Sequence, residues 1–286
     1  MNETNSDRPL RGILTILAAV FCFTLSDAMA KWLGQSMPVT QINWVRYAVF
    51  VPFAWFLVMR TAGGRVRVQQ PRLQILRGLL LAASALLFVF AIQLMPLAEA
   101  TSVGFISPLL ITALSVVLLG EVVRTSRWIA ILVGLLGVLV IVRPGTEAFQ
   151  PAALLVVASS STWAVAVVLT RRMAGHDPTA TTLLWSAVVG LVAMTFALPF
   201  GWAWVAPQDW ALGIALGLVA SAGQYFMVQA YRFAPASLLA PFSYSSLLWS
   251  VMLGWALFAA LPDIWTLAGA VVIVASGLVA ARPSKK

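Results

Sequence analysis

Charge is what this sequence has least of. Only 9% of its 286 residues are Asp, Glu, Lys or Arg, against 61% hydrophobic residues and a mean hydropathy of +0.95. A soluble domain carries about 25% charged residues and is about half apolar, so this chain cannot cover a surface in water and its solvent is lipid. A single cysteine, Cys22, and a single histidine, His176, leave no material for a disulfide framework or a multi-ligand Cys/His metal site. The chain lacks G-x-x-x-x-G-K-[ST], and with it a P-loop for ATP, and it lacks G-x-S-x-G and H-E-x-x-H. A membrane enzyme would need His, Asp or Cys clustered at one bilayer depth, and no such cluster is visible. No cofactor is expected, and no step driven by a nucleotide.

What is present is length of apolar run. A crossing takes about 20 apolar residues, and the chain divides by that measure into ten spans: 12–33, 40–60, 73–94, 98–119, 127–143, 151–171, 179–199, 210–231, 237–259 and 263–281. The expected fold class is an all-α integral membrane protein. Short connections such as "TAGGRVRVQQPR" and "RRMAGHDPT" carry turn chemistry. With the N-terminus inside, 15 of the 18 basic residues fall on the cytoplasmic side, Arg77 among them, and only Lys31, Arg46 and Arg143 fall elsewhere. That asymmetry is the positive-inside rule. It places both termini in the cytoplasm and accounts for the net charge of +9 without nucleic acid as a partner. Trp32, Trp44, Trp202, Trp204, Trp210 and Trp265 sit at outer span ends, as an interfacial belt should. Arg8, Arg11, an apolar run and "AMA" at 28–30 also fit a cleavable signal peptide, whose loss would leave nine spans.

The chain repeats itself. "AIQLMPLAEA" (91–100) aligns with "AYRFAPASLL" (230–239), and "VLVIVRP" (138–144) with "GLVAARP" (277–283), both at an offset of 139 residues. Each half then holds five spans, and an odd number forces opposite orientations, an inverted repeat. Such repeats place a transporter's solute site near the midplane where the halves meet.

A half built from "NWVRYAVFVP", "MPLAEATSVGFISPLLITALSVVLLGE" and a closing Gly-rich span resembles the EamA-type repeat of the drug/metabolite transporter superfamily. Two such repeats, 12–144 and 151–283, take in nearly the whole chain. The resemblance implies a ten-helix exporter of small metabolites in a bacterial inner membrane, working by alternating access. Among subgroups the chain is most similar to the aromatic amino-acid exporters of the YddG kind. Arg46 and the "LGE" ending at Glu121 match the family pattern. The second half departs from it, with Trp185 aligned to Arg46 and Ala260 to Glu121.

Asp27 and Lys31 lie four residues apart in the first span, on one helical face, where they can pair. Arg46 is a further candidate partner for Asp27. These three, with Glu99 at the start of the fourth span, are the candidates for a charge pair or gate, each weighed against a structural ion pair or a helix-end cap. Cavity candidates are Trp163, Gln224, Tyr244, Ser245, Asn43, Phe88 and Tyr225, because a large polar-tipped group in a span wants a partner or water. Thr101, Pro108, Thr112 and Ser115 share one face of the fourth span. Pro108 and Pro241 are candidates for helix kinks.

An aromatic lining suits an amphipathic solute such as an apolar amino acid, whose charged ends hydroxyls, Gln224, Asn43 and backbone groups would meet. The alternatives are a lipophilic cation, which wants an uncommitted membrane acid, and a receptor or scaffold, which would not need an inverted repeat. The expected partners are a small solute and the bilayer. Two fused halves complete a pathway in a monomer, and nothing in the sequence forbids a dimer. Reporter tags fused to the two termini are expected to report the same, cytoplasmic, face; opposite faces would refute the even span count.

Overall fold

The computed structural model of the chain describes residues 7–62, 64, 66, 68–120, 125–143, 150–173, 177–234 and 236–281, so Glu121 and His176 lie outside the described residues. The helices are α1 (Asp7–Leu33), α2 (Val39–Ala62), α3 (Pro71–Leu94), α4 (Leu97–Gly104), α5 (Ser107–Leu119), α6 (Thr125–Val142) and α7 (Ala152–Met173). After them come α8 (Thr179–Ala197), α9 (Pro207–Phe233), α10 (Ala236–Ser243), α11 (Ser245–Phe258) and α12 (Ile264–Ala281), and a 3-10 turn, Leu198–Phe200, follows α8. No strand occurs among the described residues. Seven stretches are long and apolar enough to cross a membrane: α1, α2, α3, the α4–α5 run, α7, α8 and α9. The fifth, ninth and tenth expected spans correspond to shorter apolar helices, Leu132–Val142, Ser245–Phe258 and Ile264–Ser276. The protein is a multi-pass membrane protein. α3 and α9 begin at Pro71 and Pro207, ahead of their apolar runs, because proline's fixed φ and missing N–H suit a helix's first turn.

Two expected spans are not continuous. The fourth breaks at Phe105–Ile106 and the ninth at Tyr244. At the first break, Phe105 and Ile106 donate backward three residues, to Ser102 and Val103, instead of four. Pro108 has no N–H to offer the Gly104 carbonyl, and Ser107 Oγ donates to that carbonyl instead at 2.7 Å. Pro108 is thus the second residue of α5, and Thr101 and Thr112 belong to different helices and do not share one face. Pro241 lies inside α10, three residues ahead of the second break.

The irregularities recur at the 139-residue offset. Phe105 and Tyr244 mark the breaks; Met95 and Ala234 end α3 and α9 in the same extended conformation (φ −144° and −149°). Gly120 and Ala259 end α5 and α11 left-handed (φ 69° and 51°). The packing repeats too. Antiparallel neighbours are α1 with α9, α3 with α7, α2 with α8 and α6 with α12, and the offset exchanges the first two pairs and maps each of the others onto itself. The order α9–α1–α11–α4–α7–α3–α8–α2 closes into a ring, with α6 and α12 paired outside it against α4 and α5. Between lipid-bathed helices, close packing supplies the attraction that water would otherwise drive, so small residues line the contacts. A Cβ on Gly269 of α12 would stand 2.6 Å from the Gly137 carbonyl oxygen of α6.

Gly269→Val is therefore expected to destabilise the purified protein by about 1–3 kcal/mol, the cost of overpacking, read as a lower melting temperature in detergent. Gly120→Ala, with open space around its Cβ, should cost only the left-handed backbone penalty of about 1 kcal/mol. The same shift in both variants would contradict the close α6–α12 approach.

Candidate functional site

The end of the bundle where α1 turns into α2 lies away from the arginine-rich end and is the more extensively packed of the two. One apolar core there joins both halves, taking Leu33 from α1, Ile42 from α2, Ile92 from α3, Val103 from α4, Ile141 from α6, Val156 from α7, Leu216 from α9 and Ile273 from α12. Toward the arginine-rich end the described clusters are smaller and local. Ile16, Val20, Ala230 and Leu239 join α1, α9 and α10, while Ala54, Val58, Leu184 and Ala187 join α2 and α8. Between the ends the two helix breaks meet, with the Phe105 and Tyr244 ring centroids 4.9 Å apart.

A line of polar side chains runs beneath the shared core. Arg46 Nη2 of α2 donates to Asp27 Oδ1 and to Ser26 Oγ of α1, each at 3.1 Å. Ser26 Oγ donates on to the Leu216 carbonyl of α9 at 3.4 Å, so this guanidinium ties three helices. Lys31 is not the partner of Asp27. Its ammonium donates to the carbonyls of Ile92 and, at 3.0 Å, Met95, and lies 5.5 Å from the Phe258 ring centroid. Those carbonyls are orphan acceptors at the end of α3, where a cation also meets the negative end of the helix dipole. The four-residue spacing was a real opportunity, but the forked guanidinium of Arg46 takes the carboxylate and the lysine caps a neighbouring helix.

Beside Arg46, Tyr47 is 8% exposed and within electrostatic reach of both Arg46 and Arg77. Arg77 was counted among the basic residues of the cytoplasmic side. It lies six residues inside α3 and turns its guanidinium into the bundle. Nε donates to Thr170 Oγ1 of α7 at 2.6 Å, and Nη1 to Ser186 Oγ and, at 3.4 Å, the Thr182 carbonyl of α8. Sequence reasoning did not single out this residue as part of a site. The available signal was "ILRGLLL", an arginine in an apolar run followed by Gly78, against which Val189 of α8 packs.

The other named candidates scatter. Trp163 is 47% exposed, yet it lies opposite the outward stripe of Leu154, Ala158 and Val165 on α7. It shares a side of α7 with buried Val156, Ser159 and Ser160. Phe88 is half-buried against the shared core. Gln224 is half-buried on the packed side of α9. Tyr244 opens α11 beside Phe105, and Ser245 Oγ next to it is buried without a partner. Asn43 is fully buried and donates to the Val39 carbonyl of its own helix at 3.0 Å, so it faces no opening. Tyr225 lies on another face. It continues the exposed stripe of Ala211, Ile214 and Leu218, the outward face of α9, and its hydroxyl accepts from Gln229 at 2.8 Å. A hydroxyphenyl ring, apolar in body and polar at its tip, suits such an outward face as well as a lining.

Glu99, in the first turn of α4, lies within electrostatic reach of Arg143 and Asp263. Arg143 Nη2 meets Asp263 Oδ2 at 2.6 Å, tying the end of α6 to the start of α12. Burial works against ionisation of Asp263, but bonds from Thr266 and the Arg143 guanidinium outweigh it and hold its carboxyl below the usual carboxylate range. Among the described residues no three His, Cys, Asp or Glu converge as a metal site would require.

The model of the EamA-like transporter family matches residues 10–143 and again 150–282. The chain is 26% identical to the S-adenosylmethionine uptake transporter of Rickettsia prowazekii (strain Madrid E) over 97% of its own length and 94% of the relative's. It is 28% identical to the pseudopaline exporter CntI of Pseudomonas aeruginosa (strain UCBPP-PA14), covering 96% and 97%. It is 29% identical to the riboflavin transporter of Vibrio cholerae, covering 94% and 92%. A solved crystal structure superposes with a TM-score of 0.66 at 23% identity, over 97% of this chain and 98% of that one, which shows the fold.

Asp27→Asn would leave Arg46 inside the bundle without its counter-charge. Because the two side chains keep 26% and 17% exposure, the expected loss is about 3 kcal/mol, the low end for breaking a buried pair. Asp27→Asn with Arg46→Gln should recover part of it. A double-mutant cycle on melting in detergent that shows no coupling would refute the pairing.

Proposed function

The chain belongs to the EamA-like transporter family, and from that premise we propose that it moves a small organic solute by alternating access between two inverted five-helix halves, 12–144 and 151–283. The observation that carries this reading is the unequal packing of the bundle. One core shared by both halves packs the end away from the arginines, while the described clusters at the arginine-rich end are smaller and join two or three helices each. A solute path packed more extensively at one end than the other is one state of an alternating-access cycle. Inversion is supported by the antiparallel pairing of the offset counterparts α2 with α8 and α6 with α12. Ten crossings, both termini cytoplasmic and a bacterial inner membrane follow on this reading from the positive-inside count.

For the solute, an apolar or aromatic amino acid is one candidate, suggested by Trp163 and Phe88. The YddG-like assignment gains nothing from the relatives described, which are named for S-adenosylmethionine, pseudopaline and riboflavin. Those names favour a larger metabolite with polar groups. They include both uptake and export, so the net direction follows the gradient. A lipophilic cation is the weaker reading, because Asp27 is committed to Arg46.

Protein reconstituted in liposomes is expected to give saturable uptake of at least one of labelled S-adenosylmethionine, riboflavin and L-phenylalanine, tested with and without a pH gradient. Trp163→Ala should raise the KM for the carried probe. Folded protein that carries none of the three counts against the reading.

A further inference from the structure

We propose that Arg77 recognises an oxyanion of the carried solute, a carboxylate above all, and so sets which solutes the protein accepts. The inference rests on the transport reading and deepens it. Its ground is a comparison of two arginines in equivalent surroundings. Arg46 sits at the junction of α1, α2 and α9, and Arg77 at the junction of α7, α8 and α3, which is the same junction carried over by the 139-residue offset. At the first junction Asp27 neutralises the guanidinium. The position equivalent to Asp27 is Ala166, and the hydrogen-bond partners of Arg77 are two hydroxyls and a carbonyl, all neutral.

Among the described residues Arg77 forms no ion pair, and its Nη2 makes no hydrogen bond. Tyr47 is the ionisable group of opposite sign in its electrostatic reach. A cation inside the bilayer is normally paired or faces a pathway. Three donors of this fork are engaged by neutral groups, which fix its plane, and no ionic partner meets it among the described residues. That is a preorganised receptor for a planar anion, which can meet guanidinium through charge-assisted bonds. The position suits a pathway. Arg77 lies in the half of α3 nearer the arginine-rich end, and Thr170, which orients it, is two turns along α7 from Trp163 on the same side. An anion bound there would have the indole beside it for an apolar portion of the same solute.

The test uses the full chain in liposomes, with as tracer whichever of labelled S-adenosylmethionine, L-phenylalanine and riboflavin the wild type carries. Competitors are L-phenylalanine against L-phenylalaninamide, S-adenosylmethionine against its methyl ester, and inorganic phosphate. In the wild type, neutralising the carboxylate should weaken competition about 10-fold or more, as loss of a charge-assisted bond does. Arg77→Gln should bring acid and neutral competitors level while leaving the neutral ones where they were. Arg77→Met, which removes the charge without burying an amide, replaces the glutamine variant if that does not fold. Thr170→Val, which keeps the charge, should retain part of the discrimination. Phosphate competing better than either carboxylate, with the same dependence on Arg77, supports the oxyanion site and changes its preferred anion. Uptake in which wild type treats acid and neutral forms alike overturns the inference and leaves transport standing. Equal weakening of both forms in the Arg77 variants also overturns it, as that marks a purely structural arginine. No uptake of any probe removes the transport reading and this inference with it.

Discussion

Lipid offers no hydrogen-bond partner, so every backbone N–H and C=O within the membrane must be met from inside the chain. That constraint explains how the few polar residues here are spent. Most serve helix ends and interruptions. Ser107 takes the carbonyl that Pro108 abandons, Lys31 takes two carbonyls where α3 stops, and Asp263 receives the Thr266 N–H where α12 starts. Even Asn43 turns back onto its own helix. A chain with so little polarity has few such groups left over, and the ones not needed for the backbone stand out. Asp27, Arg46 and Arg77 are the clearest of them.

The helical class and the repeat were legible in the sequence because each has a strong physical signature. Apolar runs of bilayer length admit no other regular structure, and an Arg-Pro pair at the same offset in both halves is improbable by chance. The irregularities found in the structure follow the offset read from "VLVIVRP" and "GLVAARP", down to the left-handed ends at Gly120 and Ala259. The breaks at Phe105 and Tyr244 were not legible. Prolines flank them on opposite sides in the two halves, Pro108 beyond one and Pro241 ahead of the other, so proline position alone does not mark the shared point.

The site was legible only in part. Asp27, Lys31 and Arg46 announce themselves as charges among apolar residues, but spacing along one helix cannot say that the nearer partner loses to one on a neighbouring helix. Arg77 was hidden by a counting rule that treats an arginine near a span end as a loop residue. Its significance lies in what surrounds it, and burial among Thr170, Thr182 and Ser186 is a tertiary fact. Tyr225 shows the converse, since composition cannot tell an aromatic facing lipid from one facing a cavity.

The meeting of Phe105 with Tyr244 has a consequence for what can occupy the middle of such a protein. The two rings are equivalent positions of the two halves, so they mark the approximate axis that relates them. Side chains on an axis of this kind confront their own counterparts. Like charges there would repel, whereas apolar rings remain compatible with themselves. Polar specificity is consequently displaced from the axis to flanking junctions, where the halves are free to diverge. The departure of Arg46 and Asp27 from Trp185 and Ala166 is the record of that divergence.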